Sequence, residues 1–275
     1  MNNIIVPSIN PIRLYPTVGD GDSITIDYST HFPHPDLMQV GTSYQKGVTA
    51  FDKYITDWVV GFPIYFQMQT NGSMSSVTAK LLEKYGSGYR TVIITDITPD
   101  EWVGYNVKKF TITSTSSSGY YYMYLSFVVN SVTYTFKSNV IYISKTLSTD
   151  KNLVYIKFKN SFNDFNYVFD NYYNAFYSAI FKIQPPSTEI TTFESDTKYI
   201  SNSRSYGKLK LTLCDIPDLF IEQVSQQFRC DSIILNEVEY IAEEGISVEE
   251  TNKTDIVDIN IMLTRKNDIN SKFYF

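Results

Sequence analysis

Side chains able to do chemistry are few and scattered in this 275-residue chain. Both of its histidines stand in the run His31-Phe32-Pro33-His34. Two imidazoles at that spacing suit a shared metal. Pro33 keeps the segment a loop, however, and no third ligand follows at a metal-site interval, so they read as loop histidines. Asp20-Gly21-Asp22 begins like a calcium loop but lacks the third carboxylate, the later glycine and the distal glutamate, and reads as a turn. Glu237, Glu239, Glu243, Glu244, Glu249 and Glu250 crowd the C-terminal part. Clustered carboxylates serve acid–base work, yet no nucleophile, histidine or positioning arginine pair accompanies them. A solvated acidic face, or one that meets a basic partner, fits better. Cys214 and Cys230 bracket a helical stretch and read as two free thiols packed as small apolar groups. The chain has no phosphate-cradling glycine loop, no nucleophile elbow and no Cys/His metal spacing. These residues predict no catalytic, cofactor or metal site; a glycosidase, whose two carboxylates sit on any β scaffold, is the distant exception.

The aromatic residues point elsewhere. Tyr120, Tyr121, Tyr122 and Tyr124 fall on one strand. Successive strand residues face opposite ways, so the three consecutive rings cannot all enter one core and at least one points outward. Outward tyrosines are frequent at protein interfaces and on sugar-binding faces. Together with Trp58 or Trp102 they are candidates for stacking on a carbohydrate. Ile4, Ile5, Pro7 and Pro11 lie in a proline-rich N-terminal segment suited to an extended path, either an edge strand or an arm gripping a neighbour. Phe273, Tyr274 and Phe275 form an apolar-aromatic tail of the same kind.

The elements that must carry these residues are mostly strands. The chain is 43% hydrophobic and 16% aromatic, with 23 Tyr and 18 Phe, and only 19% charged. β-branched and aromatic residues favour strands. A net charge of −6 argues against binding naked nucleic acid. No apolar run approaches the roughly 20 residues of a membrane span, and the first 16 residues hold no basic leader with an apolar core, so folding in a cytoplasm is expected. Strands are expected at 23–28, 58–69, 77–84, 90–95, 132–136 and 140–144, with 110–114 and 119–130 as a hairpin. That spacing predicts an immunoglobulin-like β-sandwich over 17–146, preceded by an N-terminal arm over 1–16.

After a polar boundary at 145–151, a second β-rich domain is predicted over 151–266, with a tail over 267–275. Its strands begin at 153–159 and 175–183, the latter stopped by Pro185-Pro186. Its centre is 208–242. Leu209, Leu211 and Leu213 alternate as a half-buried strand. Asp215 and Pro217 then start one helix, about 217–229, whose stripe is Phe220, Ile221, Val224 and Phe228, with Glu222, Gln223, Gln226 and Gln227 opposite. A hairpin turning at Asn236-Glu237 follows. The strand 256–266 closes the domain, with Val257, Ile259, Ile261 and Leu263 on its buried face.

From 138 to 266 the chain resembles structural tail proteins of tailed phages of Bacteroidetes, including the crAss-like group. The likeness rests on Ser138-Asn139-Val140-Ile141-Tyr142-Ile143-Ser144, Lys159-Asn160-Ser161, the Leu209 to Leu213 strand, Ile216-Pro217-Asp218, Phe228-Arg229-Cys230-Asp231 and the closing strand. It implies a non-enzymatic virion component without cofactor or metal, assembled in the host cytoplasm into a ring or hub of the tail. Such parts repeat six- or twelve-fold and touch a portal or other tail proteins, with no direct nucleic-acid recognition and no membrane. The rival from the residues themselves is a carbohydrate-binding or adhesin β-protein.

Overall fold

The computed structural model describes residues 3–5, 10–12, 14–16, 25–26, 55–70, 73–96, 105–112, 118–146, 152–160, 169–194, 198–251, 256–266 and 269–271. The protein is mainly β and divides into two units, Met1–Lys151 with Tyr173–Phe176, and Asn152–Tyr172 with Tyr177–Phe275.

The first unit holds β1 (Asn3–Ile5), β2 (Leu14–Pro16), β3 (Thr25–Ile26), β4 (Ile55–Val59), β5 (Ile64–Thr70), β6 (Met74–Glu83), β7 (Tyr89–Asp96), β8 (Tyr105–Ile112), β9 (Gly119–Val129), β10 (Val132–Ser138) and β11 (Val140–Ser144). One run of neighbours is β1-β5-β8-β7; another is β6-β9 followed by β10 and β11. β7 belongs to both, pairing through Tyr89, Arg90 and Thr91 with β6 and from Val92 to Asp96 with β8. A strand that changes sheets in mid-course joins the layers of a sandwich. These orders are those of an immunoglobulin-like plan. β2 adds antiparallel to β10, and β4 adds parallel to β11.

The burial pattern follows from alternation. On β9, Tyr121, Met123, Leu125, Phe127 and Val129 are buried, and Phe127 stacks on Phe136 with ring centres 5.4 Å apart. Ile64, Phe66 and Met68 of β5 and Phe110 of β8 are buried too, and the Phe66 and Phe110 rings lie 5.9 Å apart. At the break between β10 and β11, side chains take over hydrogen bonds from the ladder. The Met123 N–H donates to Ser138 Oγ at 2.8 Å, the Ser138 hydroxyl donates to Asn139 O at 2.6 Å, and Asn139 Nδ2 donates to Thr56 Oγ1 at 2.9 Å. Asn10 imitates a strand partner for β5, its amide exchanging two 2.8 Å bonds with the backbone of Gln67.

Two expectations about this unit change. Residues 58–69 are two strands: β4 lies beside β11, whereas β5 lies between β1 and β8. The turn between them uses Gly61 at φ +90°, a conformation costly for any side chain with a Cβ. Residues 110–114 and 119–130 are not hairpin partners either. β8 pairs with β5 and β7, and β9 with β6, β10 and β11. Two layers must cover each other, so the chain crosses between them where short-range pattern alone suggests a turn back.

The second unit holds β12 (Leu153–Asn160), β13 (Phe169–Glu194), β14 (Lys198–Pro217), a 3-10 turn (Asp218–Phe220), α1 (Ile221–Phe228), β15 (Ser232–Leu235), β16 (Val238–Ala242), β17 (Ser247–Glu250), β18 (Ile256–Arg265) and β19 (Ile269–Ser271). Its pairing closes on itself: β12-β13-β14-β18-β16-β15 and back to β12. Closure removes sheet edges, as in a barrel. Leu211, Leu213, Ile259, Ile261 and Leu263 are buried as their alternation requires. Asn236 and Glu237 turn the β15–β16 hairpin with φ of 47° and 66°, both left-handed as a two-residue turn demands.

Three local expectations are corrected here. Asp215 makes no helix cap; it sits at φ 55° in an irregularity of β14, its N–H donating to Asp258 Oδ1 at 3.0 Å, and Pro217 leads into the 3-10 turn instead. The helix buries Gln223 and Gln227 beside Val224 and Phe228. The Tyr177 hydroxyl donates to Gln227 Oε1 and offsets the cost of burying that oxygen, whereas Gln223 Oε1 is buried with no hydrogen-bond partner among the described residues. Pro185 and Pro186 do not stop β13. A register shift between Gln184 and Ser187 absorbs both rings as a bulge, where missing N–H groups break no ladder bond.

Candidate interaction surfaces

The described groups with chemical potential divide among buried, paired and exposed positions. His31, His34, Asp20, Asp22, Trp102, Pro7, Phe273, Tyr274 and Phe275 lie outside the described residues. Among the described residues no group of three or more His, Cys, Asp or Glu is arranged to hold a metal. Burial, and after it the neighbouring Asp231 carboxylate, pushes the Cys230 thiol up to about 12. Cys214 is also raised, by burial first and then by Asp258 and Asp215. Neither is a thiolate at neutral pH, so neither is a ready nucleophile.

The glutamates divide into paired and exposed members. Lys266 Nζ meets Glu239 Oε1 at 2.8 Å, and the Ser232 hydroxyl donates to the same oxygen at 2.6 Å. Lys208 Nζ lies 2.8 Å from Glu243 Oε1, which also accepts from the Thr264 hydroxyl. These bonds hold both carboxyls below the usual carboxylate value, the lysine bond contributing most in each case. A glycosidase acid needs the opposite shift. Since the folded-state values are depressed, the stabilisation is complete above about pH 4.5 and is lost as pH falls through the folded values. Melting temperature is therefore expected to drop on acidification below that point, and the Glu239→Gln variant to show a shallower drop. An unchanged acid profile in that variant would remove the pair from the account. Glu244, Glu249 and Glu250 stay exposed, and β17 is exposed along its whole length.

The tyrosine run resolves into both directions. Tyr121 is buried on the core side of β9. Tyr122 points the other way yet is also buried, covered by Lys137, whose Nζ stands 3.7 Å from the ring centre. Tyr124 is half-buried beside Lys80 and Lys137 in register. Tyr120 is 38% exposed and touches Tyr142 and Tyr85, ring centres 4.9 and 6.0 Å away. Trp58, a sugar-stacking candidate by sequence, is fully buried: its indole N–H donates to Phe62 O at 3.0 Å and its ring meets Phe176 edge-on. It is therefore not available to a ligand. Ile4 and Ile5 pair with Thr70 and Gln69 of β5, and Pro11 is buried next to Asn10.

Sequence reasoning missed Tyr85, Tyr89, Tyr142, Lys80, Lys84 and Lys137, which surround the run. The i, i+2 spacing of Lys80 and Leu82 on β6 and Lys84 just past its end was a usable signal, but which strand lay beside it was not legible. It also missed a hairpin arm. β13 and β14 stay paired from Ala179↔Leu213 out to Glu194↔Lys198. β18 accompanies β14 only as far as Lys208. Further out, among the described residues, the arm meets β19 alone, at Ser203, Arg204 and Ser205. At its base Ile180 and Phe181 are exposed and Ile183 is 85% exposed.

No protein-family model, no curated protein and no solved structure matches this chain.

Proposed function

We propose that this protein is a non-enzymatic structural subunit that assembles with copies of itself, a component of a phage virion tail forming part of a ring or hub near the portal and tail axis. The observation that carries the assembly reading is the β13–β14 arm. Its outer part, residues 187–194 against 198–206, runs roughly 25 Å at the rise of an extended strand, and Ile180, Phe181 and Ile183 at its base face solvent. A two-stranded arm is marginal in water by itself, and exposed apolar side chains at its root favour a protein surface over solvent. Repetition about an axis supplies such a surface from an identical neighbour. The tail assignment itself rests on the resemblance over residues 138–266.

Sedimentation velocity on the recombinant chain tests the assembly reading. We expect concentration-dependent oligomers, and a shift to monomer in the Phe181→Ser/Ile183→Asp variant with its far-UV spectrum intact. A chain that stays monomeric at all concentrations up to high micromolar overturns the reading. Electron microscopy of purified particles tests the tail position. A carbohydrate-binding role is the second reading, favoured by the Tyr85–Tyr120–Tyr142 cluster; selective binding on a glycan array, abolished by Tyr120→Ala, would support it.

A further inference from the structure

The outer face of β6, β9, β10 and β11 is a ladder of tyrosines and lysines. Lys80, Tyr124 and Lys137 stand opposite one another on three adjacent strands, and Tyr120 stands opposite Tyr142. Tyr89, 66% exposed, continues the face onto β7 opposite Leu82. The ammonium groups rest on rings: Lys137 on Tyr122 at 3.7 Å, Lys80 on Tyr89 at 5.3 Å. Among the described residues, neither Lys80 nor Lys137 forms an ion pair with a carboxylate. Aromatic faces attract such cations but do not neutralise them. A face of this composition has the donors of a protein interface; its one described carboxylate, Asp57, stands opposite Tyr142 at the β4 end, away from Lys80 and Lys137 in register.

The second unit carries the complement. β17 ends the described strand order, with β18 as its one partner among the described residues. Glu249 stands directly opposite Asp258 across the β17–β18 pair. Like charges in that relation push the strands apart. Asp215 is close by, its N–H bonded to Asp258 Oδ1, and Glu250, next along β17, is exposed. Val248, 42% exposed, stands opposite Ile259 on the other face of the pair. A cationic partner removes the repulsion.

We infer that the Tyr–Lys face of the first unit docks on the acidic β17–β18 pair of a second copy of this chain. The inference rests on the self-assembly reading and names the two surfaces that meet. Because the surfaces differ, each copy offers one of each, and the contacts propagate head to tail into a closed ring or a filament. A polyanion such as a sulfated glycan or single-stranded nucleic acid is disfavoured as occupant. The net charge of −6 opposes a polyanion and a second copy alike, so the choice rests on the opposed carboxylates of β17–β18, whose repulsion a cation relieves.

Charge exchange in the full-length protein tests this. Lys80→Glu/Lys137→Glu carries two acidic surfaces and Glu249→Lys/Glu250→Lys carries two basic ones, so each is expected to self-associate at least about tenfold more weakly than wild type. An equimolar mixture of the two is expected to associate again, with the variants alternating. Far-UV spectra and melting temperatures establish that both variants fold; the milder Lys80→Ala/Lys137→Ala pair replaces the first if it does not. Variants that oligomerise like wild type overturn the docking while leaving self-assembly intact. A wild-type chain that never oligomerises overturns both. Retention of a monomeric wild type on a sulfated polysaccharide, lost in Lys80→Ala/Lys137→Ala, overturns the docking in favour of a polyanion.

Discussion

Replacing Trp58 with alanine is expected to destabilise the first unit by about 4 kcal/mol, in the range found when the largest buried aromatics are truncated. Trp58 lies on β4, a five-residue strand whose place beside β11 is parallel and joins segments far apart in sequence. Its indole fills the space against Phe176, 5.1 Å between ring centres, and Phe176 in turn meets Phe62 at 5.3 Å. The indole N–H also pairs the Phe62 carbonyl at the turn where the chain passes from β4 to β5. Truncation thus opens a cavity and leaves a carbonyl without its donor, two separate costs. Trp58→Phe keeps most of the volume and is expected to recover more than half of the loss. Urea unfolding followed by far-UV circular dichroism measures both, since the substitution removes a fluorophore. A loss below about 1 kcal/mol for Trp58→Ala would mean that the ring is not a core member.

The second large effect is expected at Phe228, where alanine should cost about 3 kcal/mol and release the helix. α1 spans only eight residues. A helix that short has no stability of its own in water, so packing must hold it. Phe228 is its largest buried side chain and meets Phe158 of β12 edge-on, ring centres 5.2 Å apart. With the ring gone, Val224 and the Tyr177–Gln227 hydrogen bond remain as anchors. Hydrogen exchange at the α1 amides is expected to accelerate well beyond the change at β18. Glu222→Ala, which removes only the half-exposed bond from Gln226 Nε2 at 3.0 Å, is the control and should cost no more than about 0.5 kcal/mol. Equal protection of α1 in wild type and Phe228→Ala would show that the helix is held by something other than this face.

The chain's alternation of apolar and polar residues is enough to place most strands, because a strand's two faces are written two residues apart. Val257, Ile259, Ile261 and Leu263 on β18, and the turn at Asn236-Glu237, were legible in the sequence. So were the mainly β class and the division into two β-rich parts. The candidate surface was legible only in part: three consecutive tyrosines require opposed directions, but not that Lys137 lies over Tyr122.

Everything that depended on which strands become neighbours was decided by the tertiary structure. Gln227 looks solvent-facing until Tyr177, fifty positions earlier, brings it a hydroxyl. The two prolines of β13 look like a stop until the opposite strand shifts register around them. Lys80 and Lys137 are ordinary surface lysines until Tyr124 stands between them. Local pattern sets which way a side chain points along its own strand. What it points at is set by closing long loops and covering two layers or a barrel, a choice made by the summed burial of the whole unit rather than by any one stretch.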